Sequence, residues 1–341
     1  MNFPPVRVLV VDDSAFARKV LREALSANAR IEVVGTARDG LEALEKIAEL
    51  SPDVVTLDLV MPNLDGLGVL RALPPGGATR VVVVSVSDAD SERGVEALQS
   101  GAVQVVHKPT ALATDRLYEL GSELVRAVLA AAQARPGPLA AVAERRLAAV
   151  AHVQTGIVVV GTSTGGPQAL TRLLSALPAD FPVPVAVVLH IPVGYTEPMA
   201  RRLDGVCAVE VREAAEGLEL RPGRVILARA GTHLKLARQQ GATVARLDGD
   251  PASSPHRPSV DVLFASAAAQ YGPAALGVVL TGMGDDGLVG SRAIHARGGR
   301  LLTESKSSSI VYGMPRSVWE AGLAEAQAPL EEMAALILRH L

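Results

Sequence analysis

An α/β protein with two doubly wound domains is the fold class this sequence predicts: a five-stranded parallel sheet first, then a larger, mostly parallel sheet carrying an antiparallel hairpin. Three observations lead there. A chain of 341 residues is long for one hydrophobic core. Short β-branched runs alternate with amphipathic stretches, the rhythm of parallel strands joined by helical crossovers. That rhythm breaks at Ala134-Arg135-Pro136-Gly137-Pro138, where two prolines flank a glycine. The domains are accordingly residues 1–133 and 155–341, with a linker over 134–154.

In the first domain the strands are Val6–Val11, Ile31–Thr36, Val54–Leu57, Val81–Ser85 and Val103–His107, rich in residues that suit a pleated sheet. Ala15–Leu25, Leu41–Leu50, Leu67–Leu73, Ser91–Gln99 and Leu117–Ala132 read as its helices. In the linker, Ala140–Val150 reads as a short helix, with Arg145-Arg146 on a solvated face. The second domain opens at Gly156, with strands at Ile157–Val160, Val185–Leu189, Val225–Leu227 and Leu276–Leu280. Its helices include Gln168–Leu177 and Leu288–Ala296. Leu234–Ala237 and Thr243–Arg246 flank Gln239-Gln240-Gly241 and read as a hairpin, which would make this sheet mixed.

Composition narrows the function. Hydrophobic residues make up 49% and charged residues 20%, enough for substantial cores in a soluble chain. A net charge of −3 and 3% aromatic residues argue against nucleic acid, which calls for a basic face. No apolar run approaches the ~20 residues that span a bilayer, and the start lacks a signal-peptide layout, so a cytoplasmic location without membrane insertion is expected. The single Cys207 forms no internal disulfide or cysteine metal cluster and reads as a buried structural thiol.

The first strand ends in Asp12-Asp13 and the third in Asp58, and ligands of doubly wound sheets collect outside the carboxyl ends of strands. Three gathered carboxylates repel one another unless a hard cation shares them, and Mg²⁺ fits such oxygen ligands. The fourth strand ends in Ser85 and the fifth leads to Lys108-Pro109, a hydroxyl and an ammonium suited to phosphoryl oxygens. A plainer account has Asp12 or Asp13 capping the helix that follows. The combination of Val11-Asp12-Asp13-Ser14, Asp58-Leu59-Val60-Met61-Pro62-Asn63-Leu64-Asp65-Gly66 and Lys108-Pro109 resembles a response-regulator receiver, a flavodoxin-like domain. The resemblance implies Asp58 as phosphoacceptor, Asp12, Asp13 and Asp58 around Mg²⁺, Ser85 as the switch hydroxyl, Lys108 as the phosphate contact and a histidine kinase as phosphodonor. Val105 departs from the pattern, since receivers commonly carry an aromatic residue three before the lysine.

In the second domain, Ile157–Val160 runs into Gly161-Thr162-Ser163-Thr164-Gly165-Gly166-Pro167 and then a helix. Glycines around a serine at such a turn allow a bend that exposes the hydroxyl at the helix's positive end. The same turn also suits phosphate binding, or simply turns. A nucleophilic serine needs a base and an orienting group. Of the histidines here, His190 closes the Val185–Leu189 strand and lies on the expected rim; His233 and His256 are weaker candidates in loops, and His295 and His340 read as surface residues. Leu276–Leu280 leads into Thr281-Gly282-Met283-Gly284-Asp285-Asp286-Gly287, with two carboxylates that orient a base or merely cap the next helix. The chain order Ser, His, Asp differs from that of α/β-hydrolases.

Gly161–Pro167, His190-Ile191-Pro192, His256-Arg257-Pro258-Ser259-Val260-Asp261-Val262-Leu263-Phe264, Leu280–Gly287 and Val311-Tyr312-Gly313-Met314-Pro315-Arg316 together resemble the chemotaxis methylesterase family, CheB. The resemblance implies Ser163 as nucleophile, His190 as general base, Asp286 rather than Asp285 as its orienting partner, and backbone amides near Thr164 and Met283 as oxyanion donors. It departs at Leu189, where the family often has glutamine, and at Ala228–His233, where a Pro-Gly-Gly-rich turn is usual. The implied activity is hydrolysis of glutamate methyl esters, and often deamidation of glutamines, on methyl-accepting chemotaxis receptors, with no cofactor at the hydrolytic site. An unphosphorylated receiver covering that site is implied as its control. The alternatives are a receiver-controlled serine peptidase or small-ester hydrolase, and a non-catalytic module whose glycine turn binds phosphate or a partner.

Overall fold

Val8, Leu9, Val10 and Val11 are all buried, the consecutive apolar run of a strand covered on both faces. In the computed structural model, which describes residues 4–74, 77–85, 91–108, 114–133, 143–144, 154–250 and 254–341, these residues belong to the first of ten alternating elements. They are β1 (Val6–Val11), α1 (Ala15–Ser26), β2 (Ile31–Ala37), α2 (Gly40–Leu50), β3 (Val54–Leu57), α3 (Gly66–Ala72), β4 (Arg80–Ser85), α4 (Ser91–Gln99), β5 (Gln104–His107) and α5 (Thr114–Gln133). The five strands pair in parallel in the order β2-β1-β3-β4-β5. Acceptor side chains start three of the helices: Ser14 takes the Ala17 amide, Asp39 that of Glu42 and Asp65 that of Gly68. The cap of α1 is thus Ser14, and both Asp12 and Asp13 are released from the capping role weighed for them.

The chain divides into two compact units, Met1–Arg135 and Pro136–Leu341. In the second, the strands are β6 (Ala143–Glu144), β7 (Ile157–Thr162), β8 (Val185–Leu189), β9 (Glu210–Glu213), β10 (Glu219–Leu220), β11 (Arg224–Leu227), β12 (His233–Gln239), β13 (Ala242–Asp248), β14 (Ala275–Val279), β15 (Arg300–Glu304) and β16 (Ala326–Ala328). The helices are α6 (Gly166–Ser175), α7 (Thr196–Val206), α8 (Val260–Tyr271), α9 (Leu288–Ala296), α10 (Met314–Glu320) and α11 (Leu330–Arg339). The main sheet runs β6-β16-β15-β14-β7-β8-β11-β9, parallel except where β6 pairs with β16. The order therefore reverses beside β7, with β8 and β11 to one side and β14 and β15 to the other. Doubly wound sheets place ligands at such a switch point.

Two readings of the sequence need correction. The hairpin does not join the main sheet; β12 and β13 pair antiparallel through Gln240 and Gly241, both at positive φ, and make a separate sheet with β10. Ala143–Glu144, inside the stretch read as a linker helix, is a strand; the rest of the Ala140–Val150 reading and the Pro-Gly-Pro break lie outside the described residues.

The core of this unit lies between the main sheet, the hairpin and α8. Ile157, Val159, Val188, Leu234, Phe264 and Leu301 are all buried in it. α8 (VDVLFASAAAQY) lies against β7, β12 and α9, and Gly290 of α9 permits the close approach, since a Cβ there would lie 2.6 Å from Phe264 Cβ. Full burial of a residue such as Phe264 contributes about 1.5–3 kcal/mol.

Candidate active site and acidic cluster

At the carboxyl rim of the first sheet, carboxylate oxygens of Asp12, Asp13 and Asp58 lie within 4.8 Å of one another. Asp12 and Asp58 are buried, while Asp13 is exposed. The Lys108 ammonium lies 2.6 Å from Asp12 Oδ2 and 3.1 Å from Asp58 Oδ2. Gly66 lets the loop after β3 close over Asp58: a Cβ there would lie 2.4 Å from the Asp58 carbonyl oxygen. One ammonium does not balance three carboxylates. Burial pushes the Asp58 carboxyl up, Lys108 pulls it back, and the Asp12 carboxylate adds to the rise, leaving it above the ordinary carboxylate range. The Ser85 hydroxyl, fully buried at the end of β4, has no hydrogen-bond partner among the described residues. Hard oxygen ligands, uncompensated negative charge and an orphan hydroxyl together fit a divalent cation and a phosphoryl group. Val105 is a buried side chain of β5.

In the second unit, adjacent strands deliver Ser163 and His190 side by side. Thr162 at the end of β7 pairs with Leu189 at the end of β8, and the His190 amide donates to the Thr162 carbonyl. The neighbouring rim is tied in by the Ser163 amide and the Thr162 hydroxyl, which both donate to the Thr281 carbonyl beyond β14. Gly165 makes the turn into α6 at φ +79°, where a Cβ would strike Ile310 at 2.6 Å.

Asp286 meets His190 from the loop after β14. His190 Nε2 lies 2.8 Å from Asp286 Oδ2, and Nδ1 is buried without a hydrogen-bond partner among the described residues. Three further donors serve the same carboxylate: the Ser259 hydroxyl, the Val260 amide and the Asp261 amide. Burial opposes the charge of Asp286, but the His190 bond and these amides outweigh it and hold the carboxyl well below its usual range. An ionised Asp286 accepts, so Nε2 carries a proton, and in the neutral ring Nδ1 presents a lone pair. Ser163, half-buried, makes no hydrogen bond to that nitrogen. Catalytic contacts of this kind often tighten only when substrate is present.

The two neighbouring aspartates have different surroundings. Asp285 is exposed, and its carbonyl accepts the Leu288 amide; it is Asp286 that reaches His190. Nor does Asp286 cap α9. It sits on the first amides of α8, while Asp261 of α8 accepts the amides of Gly287 and Gly290 at the start of α9, so the two helices cap each other.

Met283 is exposed on the loop whose Gly282 approaches Ser163, and Thr164 is buried with its carbonyl accepting the Thr281 hydroxyl. His233, read as a loop residue, begins β12 and is fully buried, with Nδ1 accepting the Ser259 amide. His256 stacks on His190. His295 is exposed; His340 is half-buried rather than on the surface, with Nδ1 2.8 Å from the Leu336 carbonyl. Sequence reasoning missed Ser259 and the buried Glu304, whose carboxylate accepts the Thr281 amide and the Ser308 hydroxyl. The Pro258-Ser259-Val260-Asp261 run, a serine directly before an apolar helix, was the available signal for the first.

Residues 158–337 match the model of the CheB methylesterase family, and residues 8–119 that of the response regulator receiver domain. A relative from Myxococcus xanthus named protein-glutamate methylesterase/protein-glutamine glutaminase 5 is 65% identical, over 98% of each chain. One of the same enzyme name from Geobacillus kaustophilus is 42% identical, again over 98% of each. Among solved structures, the CheB methylesterase catalytic domain of Thermotoga maritima is 38% identical, with a TM-score of 0.54, covering 55% of this chain and all of that one.

Proposed function

The chain belongs to the CheB methylesterase family, with a response regulator receiver domain ahead of the catalytic domain, and from that premise we propose that Ser163, His190 and Asp286 form its hydrolytic triad. The protein is a protein-glutamate methylesterase/protein-glutamine glutaminase under receiver control, acting in chemotaxis. Its substrates are methyl-accepting chemotaxis receptors.

The observation that carries the assignment is the His190 ring, bonded to Asp286 through one nitrogen and leaving the other buried and unbonded at the rim shared with Ser163. Ser163 Oγ attacks the side-chain carbonyl carbon of a glutamyl methyl ester while His190 Nδ1 takes its proton. Negative charge on the carbonyl oxygen is met by backbone amides near Thr164 and Met283. The tetrahedral species collapses, the C–O bond breaks, and His190 returns the proton to the leaving methoxide as methanol. From glutamine, the C–N bond breaks and ammonia leaves. Water, deprotonated by His190, then opens the glutamyl-serine ester to free glutamate and Ser163. Asp286 keeps the ring in the tautomer this requires and stabilises the imidazolium.

In the receiver, Asp58 is the phosphoacceptor for a histidine kinase, with Ser85 and Lys108 holding phosphoryl oxygens. Asp12, Asp13 and Asp58 would hold Mg²⁺, which when bound neutralises charge between carboxylates and phosphoryl group. Among the described residues no helix is long and apolar enough to cross a membrane. A kinase phosphodonor and receptor substrates imply a cytoplasmic location.

The test is release of labelled methanol from methylated receptor membranes, with and without a phosphodonor. Turnover that is lost in Ser163→Ala and absent on generic esters and peptides supports this reading; equal activity in Ser163→Ala overturns it.

A further inference from the structure

We infer that His256 is a positioning residue for His190, fixing the plane of its ring and so the direction of the Nδ1 lone pair. The inference rests on the reading of His190 as general base. The two imidazoles stack with centroids 4.2 Å apart and planes 17° from parallel. One hydrogen bond, from Nε2 to Asp286, pins a single corner of the His190 ring. With the Cβ–Cγ bond as the other tether, the ring can still rock about the line from Cβ to Nε2, which would swing Nδ1 towards or away from Ser163. A flat partner on one face removes that motion and keeps water from the same face.

The backbone that carries His256 is itself held in place. Its carbonyl accepts the Ser254 hydroxyl at 3.0 Å, and the carbonyl of Arg257 accepts the Gly231 amide at 3.0 Å. The Ser259 amide donates to the buried His233 at 3.2 Å, and the Ser259 hydroxyl, with the amides of Val260 and Asp261, holds Asp286. The one segment from Ser254 to Asp261 thus delivers both restraints on the base, the ring against its face and the donors that set its carboxylate partner. Misplacing a reacting group by ~1 Å can cost on the order of 10²-fold in rate, so control of the ring plane belongs to the chemistry.

Methanol release from methylated receptor membranes by the full-length chain separates the cases, with His256→Phe, His256→Leu and His256→Ala compared. Phenylalanine keeps a planar face with no ring nitrogen; leucine fills space without one. We expect kcat of His256→Phe within about 3-fold of the parent, and a fall of about 10- to 100-fold in His256→Leu and His256→Ala, with KM within about 2-fold in all. If the alanine variant does not fold, the phenylalanine and leucine variants still decide. Leucine as active as phenylalanine would mean that only volume matters, and phenylalanine as poor as leucine would mean that the ring nitrogens act; either overturns the inference. Ser163→Ala and His190→Ala serve as controls. Substantial turnover in those variants would sink the base assignment itself, whereas inactive controls beside a fully active His256→Leu would sink only the positioning role.

Discussion

Asp286 accepts from an imidazole, a hydroxyl and two amides, so an isosteric asparagine must turn an NH₂ group towards donors whichever way it sits. Asp286→Asn should therefore lose ester hydrolysis by on the order of 10⁴-fold, through a misoriented His190, and lose some stability as well. Asp285→Asn, at an exposed side chain, should keep most of the activity. The reverse pattern in methanol-release kinetics would move the orienting role to Asp285. Ser163→Ala and His190→Ala should each cost on the order of 10⁴-fold or more, and the double variant little beyond either alone, because members of one triad fail together. Additive losses in that cycle would show two independent contributions instead.

The elements that carry these residues hold one another in register. Asp261 at the start of α8 accepts two amides of the Gly287–Gly290 turn into α9, and that turn follows Asp286 directly. Asp261→Ala should cost about 1–2 kcal/mol in denaturant unfolding and reduce kcat, while Asp261→Asn, which retains an acceptor oxygen, should be milder. Glu304, at the end of β15, anchors the Thr281 amide from full burial, and burial raises its carboxyl to about 7 against the pull of the Thr281 and Ser308 hydrogen bonds. A carboxyl raised in the folded state binds its proton more tightly there than in the unfolded chain. Its stabilising contribution is complete below about pH 4.5 and is lost as the pH rises through about 7. The parent should lose on the order of 3 kcal/mol from this group between pH 4 and pH 8. Glu304→Gln should abolish that part of the slope and be the more stable protein at pH 8, measured by urea unfolding across the range; an unchanged slope would show that Glu304 titrates normally. The sequence made β7, β8 and β14 legible because each is a buried apolar run ending in the residues of the site. It hid β9 and β16 for physical reasons: Glu210-Val211-Arg212-Glu213 carries the charges of an edge strand, and Ala326-Gln327-Ala328 is too short to show a period. α8 is apolar on nearly all sides and has little amphipathic period to find. The stack of His256 on His190 joins residues 66 positions apart in sequence, so no spacing announced it.

Asp58 and Ser163 lie in separate compact units, each with its own sheet. If phosphorylation of Asp58 controls hydrolysis at Ser163, the control is a coupling equilibrium between states of the two units. If the unphosphorylated receiver occludes the hydrolytic site, removing the receiver should raise activity by a finite factor, about 5- to 150-fold for the usual range of coupling energies. The fragment for this measurement should begin at Pro136 as well as near Thr155, because β6 at Ala143–Glu144 pairs with β16 and the shorter fragment removes that edge strand. A small-molecule phosphodonor with Mg²⁺ should activate the full-length chain, fail on Asp58→Asn and leave either fragment unchanged, and chelation of Mg²⁺ should abolish the activation. Val105 occupies the position where receivers commonly carry the aromatic half of the switch, so the phosphorylated chain should reach only part of the fragment's activity. Fragments no faster than the unphosphorylated parent would exclude occlusion. The receiver would then serve to dock the enzyme on its kinase or receptors, and phosphorylation would alter KM for receptor membranes while leaving turnover of a small glutamyl ester untouched.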